Sequence, residues 1–148
     1  MTVIIDGDAC PVKEIIYTIC ERYQVPVTLV TSYDHSSNKV PENVNCVYVD
    51  RGQDSADFKI ISLLHTGDIL VTQDYGLASL ALPKKVRVVH HSGKEYTQAT
   101  IDMLLESRHF SAKMRQSGQR TKGPKKFSEA SRQKFAKKFE QMLDEVEE

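Results

Sequence analysis

The sequence lacks the features that would place it in a membrane or outside the cell. No apolar run approaches the roughly 18 residues that a membrane-spanning helix needs. The first residues, MTVIIDGDACP, turn acidic directly after Ile5, which is not the pattern of a signal or transit peptide. From these absences we expect a cytoplasmic protein with no membrane partner.

Cysteine is scarce and its spacing is uninformative. Cys10, Cys20 and Cys46 are odd in number, far apart and in no CxxC pair, which excludes a disulfide framework and a zinc-binding motif. Cys10 lies where a helix is expected to begin, a position that can lower a thiol pKa. No histidine is near it in the sequence, so we expect a small buried residue.

Net charge is absent as well, but only because three segments of alternating charge cancel. Residues 1–107 carry 9 Lys and Arg against 14 Asp and Glu, whereas residues 108–138 carry 11 against one. Residues 139–148 then add five acids. This separation, rather than the total, indicates a basic segment that could meet a polyanion.

What is present is a regular alternation of apolar runs and helical patterns. It predicts an α/β protein with a parallel sheet of about five strands, flanked by helices. We expect a single domain over 1–148, made of an α/β core (1–107), a basic loop (108–127) and a C-terminal helix (128–148). The predicted strands cover 2–5, 25–30, 46–49, 68–72 and 86–89, and the predicted helices cover 11–23, 54–64, 74–82, 97–106 and 128–148.

Acidic residues follow three of the predicted strands. Asp6 and Asp8 follow the first, Asp54 and Asp57 begin the helix after the third, and Asp74 follows the fourth. In open parallel sheets, ligands bind beyond the carboxyl ends of the strands, near the point where the strand order reverses. If the first and fourth strands are neighbours, these carboxylates converge.

Converging carboxylates repel one another unless a cation lies between them. Mg²⁺ or Mn²⁺ accepts such oxygens, keeps positions open for phosphate, and can activate water for phosphodiester cleavage. Three of these acids also have an ordinary structural role: Asp54 and Asp74 can cap helices, and Asp57 can be a favourable first-turn charge. Asp6 is the hardest to explain in that way.

Four motifs together resemble the PIN-like nuclease superfamily, and more closely the YaiI/YqxD family of small bacterial PIN-like proteins. The resemblance spans nearly the whole chain. The motifs are DGDACPVK (6–13), VDRGQDSAD (49–57), GDILVTQDY (67–75) and RTKGP (120–124).

This resemblance implies a PIN-like three-layer sandwich with strand order 3-2-1-4-5 and an acidic metal site at its top. Asp6, Asp57 and Asp74 match the catalytic acids of PIN nucleases, and Asp8 and Asp54 are further candidate ligands. Many PIN domains have glutamate as the central acid. Here that acid is the shorter Asp57, with Asp54 as its rival.

The basic segment is the candidate nucleic-acid interface. Its side chains lie in a Gly-, Ser- and Pro-containing stretch that can follow a phosphate backbone, although a solvated tail is the alternative. The expected partner is nucleic acid, RNA in preference to DNA. Tyr33, Tyr75 and Phe127 are candidates for stacking on a base, and packing is their ordinary role. The candidate phosphate-binding residues are Lys13, Arg115, Arg120, Lys122, Lys125 and Lys126.

We therefore expect a nuclease or related phosphodiesterase that uses Mg²⁺ or Mn²⁺. A haloacid-dehalogenase-type phosphatase is one alternative, because Asp6 and Asp8 mimic its acid pair and Thr31 or Ser32 could supply its hydroxyl. A nucleic-acid-binding module without catalysis is the other. His90 and His91 end the fifth strand, where a structural pair is the ordinary reading and a metal or phosphate role is the alternative.

Overall fold

One mostly parallel sheet of six strands organises the part of the chain that the structure describes. This computed structural model describes residues 1–8, 10–32, 40–50, 55–116 and 127–147, with only the backbone for 108–116 and 147. The strand order is β3-β2-β1-β4-β5-β6, and only β6 is antiparallel to its neighbour. The strands are β1 Val3–Asp6, β2 Val27–Ser32, β3 Val44–Val49, β4 Ile69–Val71, β5 Arg87–Val89 and β6 Glu95–Tyr96.

Helices cover both faces of this sheet. Side chains from α1 and α5 form one apolar core with alternate strand residues, and side chains from α2, α3 and α4 form the other. A 3₁₀ turn, Leu82–Lys84, leads from α3 towards β5. The helices are α1 Lys13–Tyr23, α2 Ser55–Leu63, α3 Tyr75–Ala81, α4 Gln98–Gln116 and α5 Glu129–Glu147.

The first strand shows why apolar runs predicted the strands. Val3 and Ile5 face the core that contains α1 and α5, whereas Ile4 faces the opposite core, and all three are buried. A strand covered on both faces needs apolar residues at every position. Phe135 and Phe139 complete the first core with stacked rings 5.5 Å apart, each stabilising the fold by about 1.5–3 kcal/mol through burial.

The order of the five parallel strands is the one expected from the resemblance, but the sixth strand was not predicted. Its two residues, Glu95 and Tyr96, are too few to form an apolar run. They pair with Val89 and Val88 because the chain reverses directly after β5. The His90 amide donates to the Lys94 carbonyl across 2.8 Å, which closes that reversal.

The predicted start of the basic loop was wrong. Helix α4 does not end at residue 106 but continues to Gln116, through a stretch that contains no glycine or proline. Arginine, lysine, alanine, methionine and glutamine favour a helix even without an apolar stripe, which is why periodicity alone stopped too early. Residues 117–126 of the predicted loop lie outside the described residues.

The apolar face of α5 does not extend into its last turn. Phe135, Phe139, Met142 and Leu143 are buried, whereas Val146, in the last turn, is 41% exposed. Within the described ranges, no helix has the length and apolar character to cross a membrane.

Candidate active site at the carboxyl ends of β1 and β4

The candidate site lies where the strand order reverses. Strands β1 and β4 pair side by side, with Ile5 opposite Val71, yet the chain continues from β1 to β2 on one side and from β4 to β5 on the other. A crevice opens beyond the carboxyl ends of such a strand pair. Asp6 ends β1 and Thr72 directly follows β4, so both border this crevice.

Hydrogen bonds connect the ends of the two strands. The Thr72 hydroxyl donates to Oδ2 of Asp6 across 2.7 Å and accepts from the Asp74 amide across 3.0 Å. Oδ1 of Asp74 accepts from the amides of Gly76 and Leu77, at 2.8 and 3.2 Å, and so caps α3. The capping role expected for Asp74 is therefore present, and the same residue belongs to the acidic cluster.

Asp6 is the centre of that cluster. The pKa of its carboxyl is raised from an ordinary 3.8 to about 6, first by burial and then by the negative charges of Asp57, Asp74 and Asp8, while the Thr72 hydrogen bond lowers it. A charge acts on a neighbouring pKa only when it is close. The fold thus brings three carboxylates, two of them from distant segments of the chain, around the half-buried carboxyl of Asp6.

Asp8 is held apart from Asp6 by its own contacts. Its Oδ1 accepts from the Thr31 hydroxyl at 2.8 Å and from the Ser32 amide at 3.1 Å, both at the end of β2. The two carboxylates of the Asp6-Gly7-Asp8 turn are consequently bound to different neighbouring strands. Thr31 and Ser32, which sequence reasoning considered only for a phosphatase, orient Asp8.

Gly7 makes this divergence possible. Its amide donates to the Val30 carbonyl across 2.7 Å, which draws the turn against β2. A Cβ atom at this position would lie 2.6 Å from Cδ1 of Leu29 and 2.8 Å from the Val30 oxygen, closer than real Cβ contacts. Glycine is required here because the backbones approach so closely.

Of the two remaining acids, the structure describes Asp57 but not Asp54. Asp57 lies in the first turn of α2, is half-buried, and is near enough for its charge to raise the pKa of Asp6. Asp54 lies outside the described residues. The helix that the sequence predicted from residue 54 is present from Ser55, so the element that carries Asp57 is as expected.

Lys13 contributes a positive charge beside the acidic turn. It is the first residue of α1, and its Nζ donates to the Gly7 carbonyl across 3.3 Å. Gly7 lies between Asp6 and Asp8 in the sequence, so this contact holds the ammonium group beside the acidic turn. Neutralisation of the turn and contact with a phosphate are both compatible with that position.

A narrow cleft beside Asp6 contains side chains that the predicted site omitted. Cys10, Gln73 and His91 line it together with Asp6 and Thr72. Burial raises the pKa of the Cys10 thiol to about 11 and outweighs the lowering by the Val12 backbone hydrogen bond and the Lys13 charge. The His91 ring packs edge-on against Phe127 at 5.1 Å, which joins the start of the C-terminal segment to the cleft.

The donor chemistry of this cluster fits a hard divalent cation, with few protein ligands. Among the residues that the structure describes, no three acidic, histidine or cysteine side chains come close enough to hold one ion together. Mg²⁺ commonly binds through one or two carboxylates and retains several waters. Asp6, half-buried among like charges, is the carboxylate that such an ion would stabilise most.

Most of the predicted basic interface lies outside the described residues. The backbone of Arg115 belongs to α4, but its side chain is not described, and Arg120, Lys122, Lys125 and Lys126 lie outside the described ranges. Of the candidate phosphate-binding residues, Lys13 is the one whose side chain the structure describes, and it borders the acidic turn.

Fold and site together define an open α/β protein with a carboxylate cluster at its topological switch point. The chain belongs to the YaiI/YqxD family: the model described as "Uncharacterized BCR, YaiI/YqxD family" matches residues 4–145. It is 49% identical to a UPF0178 protein of Bacillus thuringiensis over 97% of this chain and 99% of that one. It is 53% identical to a UPF0178 protein of Enterococcus faecalis over 91% and 92%.

A solved structure was also found to be similar. The crystal structure of Rae1 (YacP) from Bacillus subtilis, a W164L mutant, aligns over 99% of both chains with a TM-score of 0.43 and 17% sequence identity. At that TM-score the likeness carries no structural or functional argument.

Proposed function

We propose that this protein is a PIN-like, divalent-metal-dependent phosphodiester hydrolase that acts on nucleic acid, with RNA as the expected polymer. The observation that carries the proposal is the convergence on Asp6. Burial and three neighbouring carboxylates act on one side chain at the switch point of the sheet. Maintaining charged carboxylates there costs free energy, and a cation offsets that cost.

In this proposal Asp6, Asp57 and Asp74 are the catalytic acids, and they hold Mg²⁺ or Mn²⁺ largely through its retained waters, because no three described acids come close enough to hold one ion directly. Asp8 and Asp54 complete the acidic set, and the hydrogen bonds from Thr31 and Ser32 orient Asp8. The bound ion would supply charge neutralisation and activation of water for phosphodiester cleavage. Thr72 fixes Asp6, and the capping of α3 fixes Asp74, before any ligand arrives.

The contacts of Phe127 support a nucleic-acid partner at this site. Phe127 follows the basic residues 120–126 in the sequence and packs against His91, which lines the cleft beside Asp6. Arg132 lies over the Phe127 ring at 5.0 Å and donates to the Pro11 carbonyl at 2.7 Å. Phe127, which directly follows the basic residues in the sequence, therefore lies near the acidic cleft, and a polyanion bound by those residues could reach the acidic cluster.

The deciding experiment uses purified full-length protein with labelled single- and double-stranded RNA and DNA. Each polymer is incubated with Mg²⁺, with Mn²⁺ and with chelator, beside the double variant Asp6→Asn, Asp74→Asn. Asparagine preserves the helix cap at residue 74 while it removes both charges. We expect metal-dependent cleavage, with RNA preferred, and its loss in the double variant.

Asp144→Asn is the matched control. Asp144 accepts from the Tyr23 hydroxyl at 2.6 Å on α5, next to Glu145, which pairs with Arg87 at the amino end of β5. Asp144 therefore lies towards the amino ends of the strands, whereas Asp6 lies at their carboxyl ends. Substitution of Asp144 should leave cleavage unchanged. Cleavage that persists in the double variant, or in chelator, would point to a contaminating nuclease and count against the proposal.

The two alternatives predict different results in the same assay. A binding module without catalysis would bind polymer in the double variant as well as in the wild type, and would cleave none. A phosphatase of the haloacid-dehalogenase type would form a phosphoenzyme on Asp6. Acid quenching after incubation with a labelled phosphomonoester, followed by a test for label lost in Asp6→Asn, separates that chemistry from phosphodiester cleavage.

A further inference from the structure

A second, larger cleft lies next to the carboxylate cluster. Its volume is about 440 Å³, within the roughly 300–1,000 Å³ typical of small-molecule sites. Gln73 lines both this cleft and the narrow one beside Asp6, so the two share a wall. Tyr75, which directly follows Asp74 in the sequence, lines the larger cleft, so an occupant would lie close to the acidic site.

The wall of this cleft is mainly aromatic and apolar. Tyr75, His90 and Tyr96 contribute rings, and the His90 and Tyr96 rings meet edge-on with 6.1 Å between centroids. Met103 and Leu104 of α4 contribute the apolar part, although they are 69% and 39% exposed. Flat aromatic and apolar walls favour a flat aromatic occupant.

The polar groups of the cleft suit a neutral ring with hydrogen-bonding edges. The Ser92 amide donates to Nδ1 of His90 across 3.0 Å, so that nitrogen is an acceptor and Nε2 carries the hydrogen. Burial, with the charges of His91 and Lys94, lowers the pKa of His90 to about 4, which keeps the ring neutral at pH 7. Glu95, also in the wall, is paired with Arg87 at 2.8 Å.

We propose that this cleft binds one unstacked nucleobase of a single-stranded nucleic acid whose neighbouring phosphate lies at the Asp6 cluster. The inference rests on the proposed function, because the acidic site gives the phosphate its place. A base inside a duplex remains stacked and paired, so it cannot enter a cleft of this kind without being extruded. Selection of single strands would therefore follow from the cleft rather than from the carboxylates.

Methionine methyl groups give a direct test. Protein labelled with ¹³C at the methionine methyls carries Met103 in the cleft wall and Met142 fully buried in the core on the opposite face of the sheet. Adenosine and uridine 5′-monophosphates are titrated in chelator, with ribose 5-phosphate as the ligand that lacks a base. We expect a saturable shift of the Met103 signal with the nucleotides only, and none at Met142.

Two exposed leucines provide a matched pair of variants. Leu104 lines the cleft and Leu105 does not, yet both lie on α4 and are 39% and 47% exposed, so glutamate at either should leave the fold intact. Leu104→Glu places a negative charge against a phosphate-bearing ligand and should weaken nucleotide binding about tenfold, a loss similar to that of one stacking contact. Leu105→Glu should change it by less than about twofold, by the same reasoning.

The outcomes separate this inference from the proposed function. An equal Met103 shift with ribose 5-phosphate, no shift with any nucleotide, or equal effects of the two leucine variants would each overturn the nucleobase site. Because the titration needs no cleavage, a positive result with a failed nuclease assay would leave the cleft assigned and reject the hydrolase. Cleavage without a Met103 response would support the hydrolase and overturn the nucleobase site.

Discussion

The hydroxyl of Thr72 lies 2.7 Å from Oδ2 of Asp6 and connects the carboxyl ends of β4 and β1. The same hydroxyl oxygen accepts from the Asp74 amide, so one side chain relates two of the candidate catalytic acids. Its donated hydrogen bond opposes the burial that raises the pKa of Asp6. Thr72 is thus a positioning residue whose role can be tested separately from the acids.

Replacement of Thr72 by valine keeps the shape of the side chain and removes both hydrogen bonds. We expect the pKa of Asp6 to rise further above 6 and the free energy of unfolding to fall by about 1–3 kcal/mol, the cost of leaving buried polar groups unpaired. Carboxyl NMR titration and urea unfolding in chelator measure the two effects. Thr72→Ser, which retains the hydroxyl, is the control, and an unchanged Asp6 titration in Thr72→Val would contradict the assigned role.

The raised pKa of Asp6 predicts how the metal-free protein responds to pH. Because the folded state holds the Asp6 proton more tightly than the unfolded state, this residue contributes stability below about pH 4 that is lost as the pH rises to about 6. Asp6→Asn removes that loss. In chelator, the stability of the variant relative to wild type should increase by up to about 3 kcal/mol between pH 4 and pH 7.

Urea unfolding of both proteins across that pH range measures this difference. Asp144→Asn serves again as the control, since the same charge is removed far from the cluster. A constant difference between Asp6→Asn and wild type from pH 4 to pH 7 would mean that Asp6 titrates as an ordinary carboxyl.

Gly7→Ala tests the close approach between the acidic turn and β2. The added Cβ would meet Leu29 and the Val30 carbonyl at 2.6 and 2.8 Å, and the backbone contact cannot be relieved by a side-chain rotation. Overpacking of this kind costs about 1–3 kcal/mol, so we expect a lower unfolding free energy by chemical denaturation. It should also displace Asp8 from Thr31 and Ser32.

Gly76→Ala is the comparison for that experiment. Its added Cβ would meet only Oδ1 of Asp74, at 3.0 Å, within the first turn of α3. Alanine is favoured over glycine in a helix by about 1 kcal/mol, so the stability of this variant should be unchanged or higher. Equal destabilisation by the two substitutions would remove the argument for a special constraint at Gly7.

Phe127→Ala tests the link between the basic segment and the acidic cleft. Loss of the ring contacts with His91 and Arg132 should weaken binding of single-stranded RNA several-fold, while the salt dependence stays the same because no charge is removed. Fluorescence anisotropy at several salt concentrations measures both. Phe58→Ala, which removes an aromatic ring that is 75% exposed on α2, is the control.

If Phe127→Ala binds RNA as tightly as wild type, the start of the C-terminal segment does not position the basic residues. Equal losses in Phe127→Ala and Phe58→Ala would instead indicate that aromatic surface, wherever it lies, contributes to binding. Only a loss confined to Phe127→Ala supports the proposed arrangement.

The sequence predicted the parallel strands because burial on both faces of the sheet requires apolar residues in them. Strands covered on both faces must be apolar at consecutive positions, as Val3, Ile4 and Ile5 are. Hydrophobic periodicity failed where burial imposes no such apolar pattern. The extension of α4 to Gln116 depends on backbone propensity, and β6 forms from two residues because a chain reversal happens to bring them beside β5.

The same distinction, between what the sequence predicts and what the tertiary structure decides, applies to the candidate site. The sequence alone determined which residue types follow which strands, and so indicated five candidate acids: Asp6, Asp8, Asp54, Asp57 and Asp74. The resemblance to PIN nucleases, and not their position, selected Asp6, Asp57 and Asp74 as the catalytic set. Only the tertiary structure decided that Asp8 turns towards Thr31 while Asp6 turns towards Thr72, since hydrogen bonds between strands distant in sequence depend on strand order. It also decided that charges from separate segments act on the half-buried carboxyl of Asp6, because electrostatic coupling depends on distance in space and not along the chain.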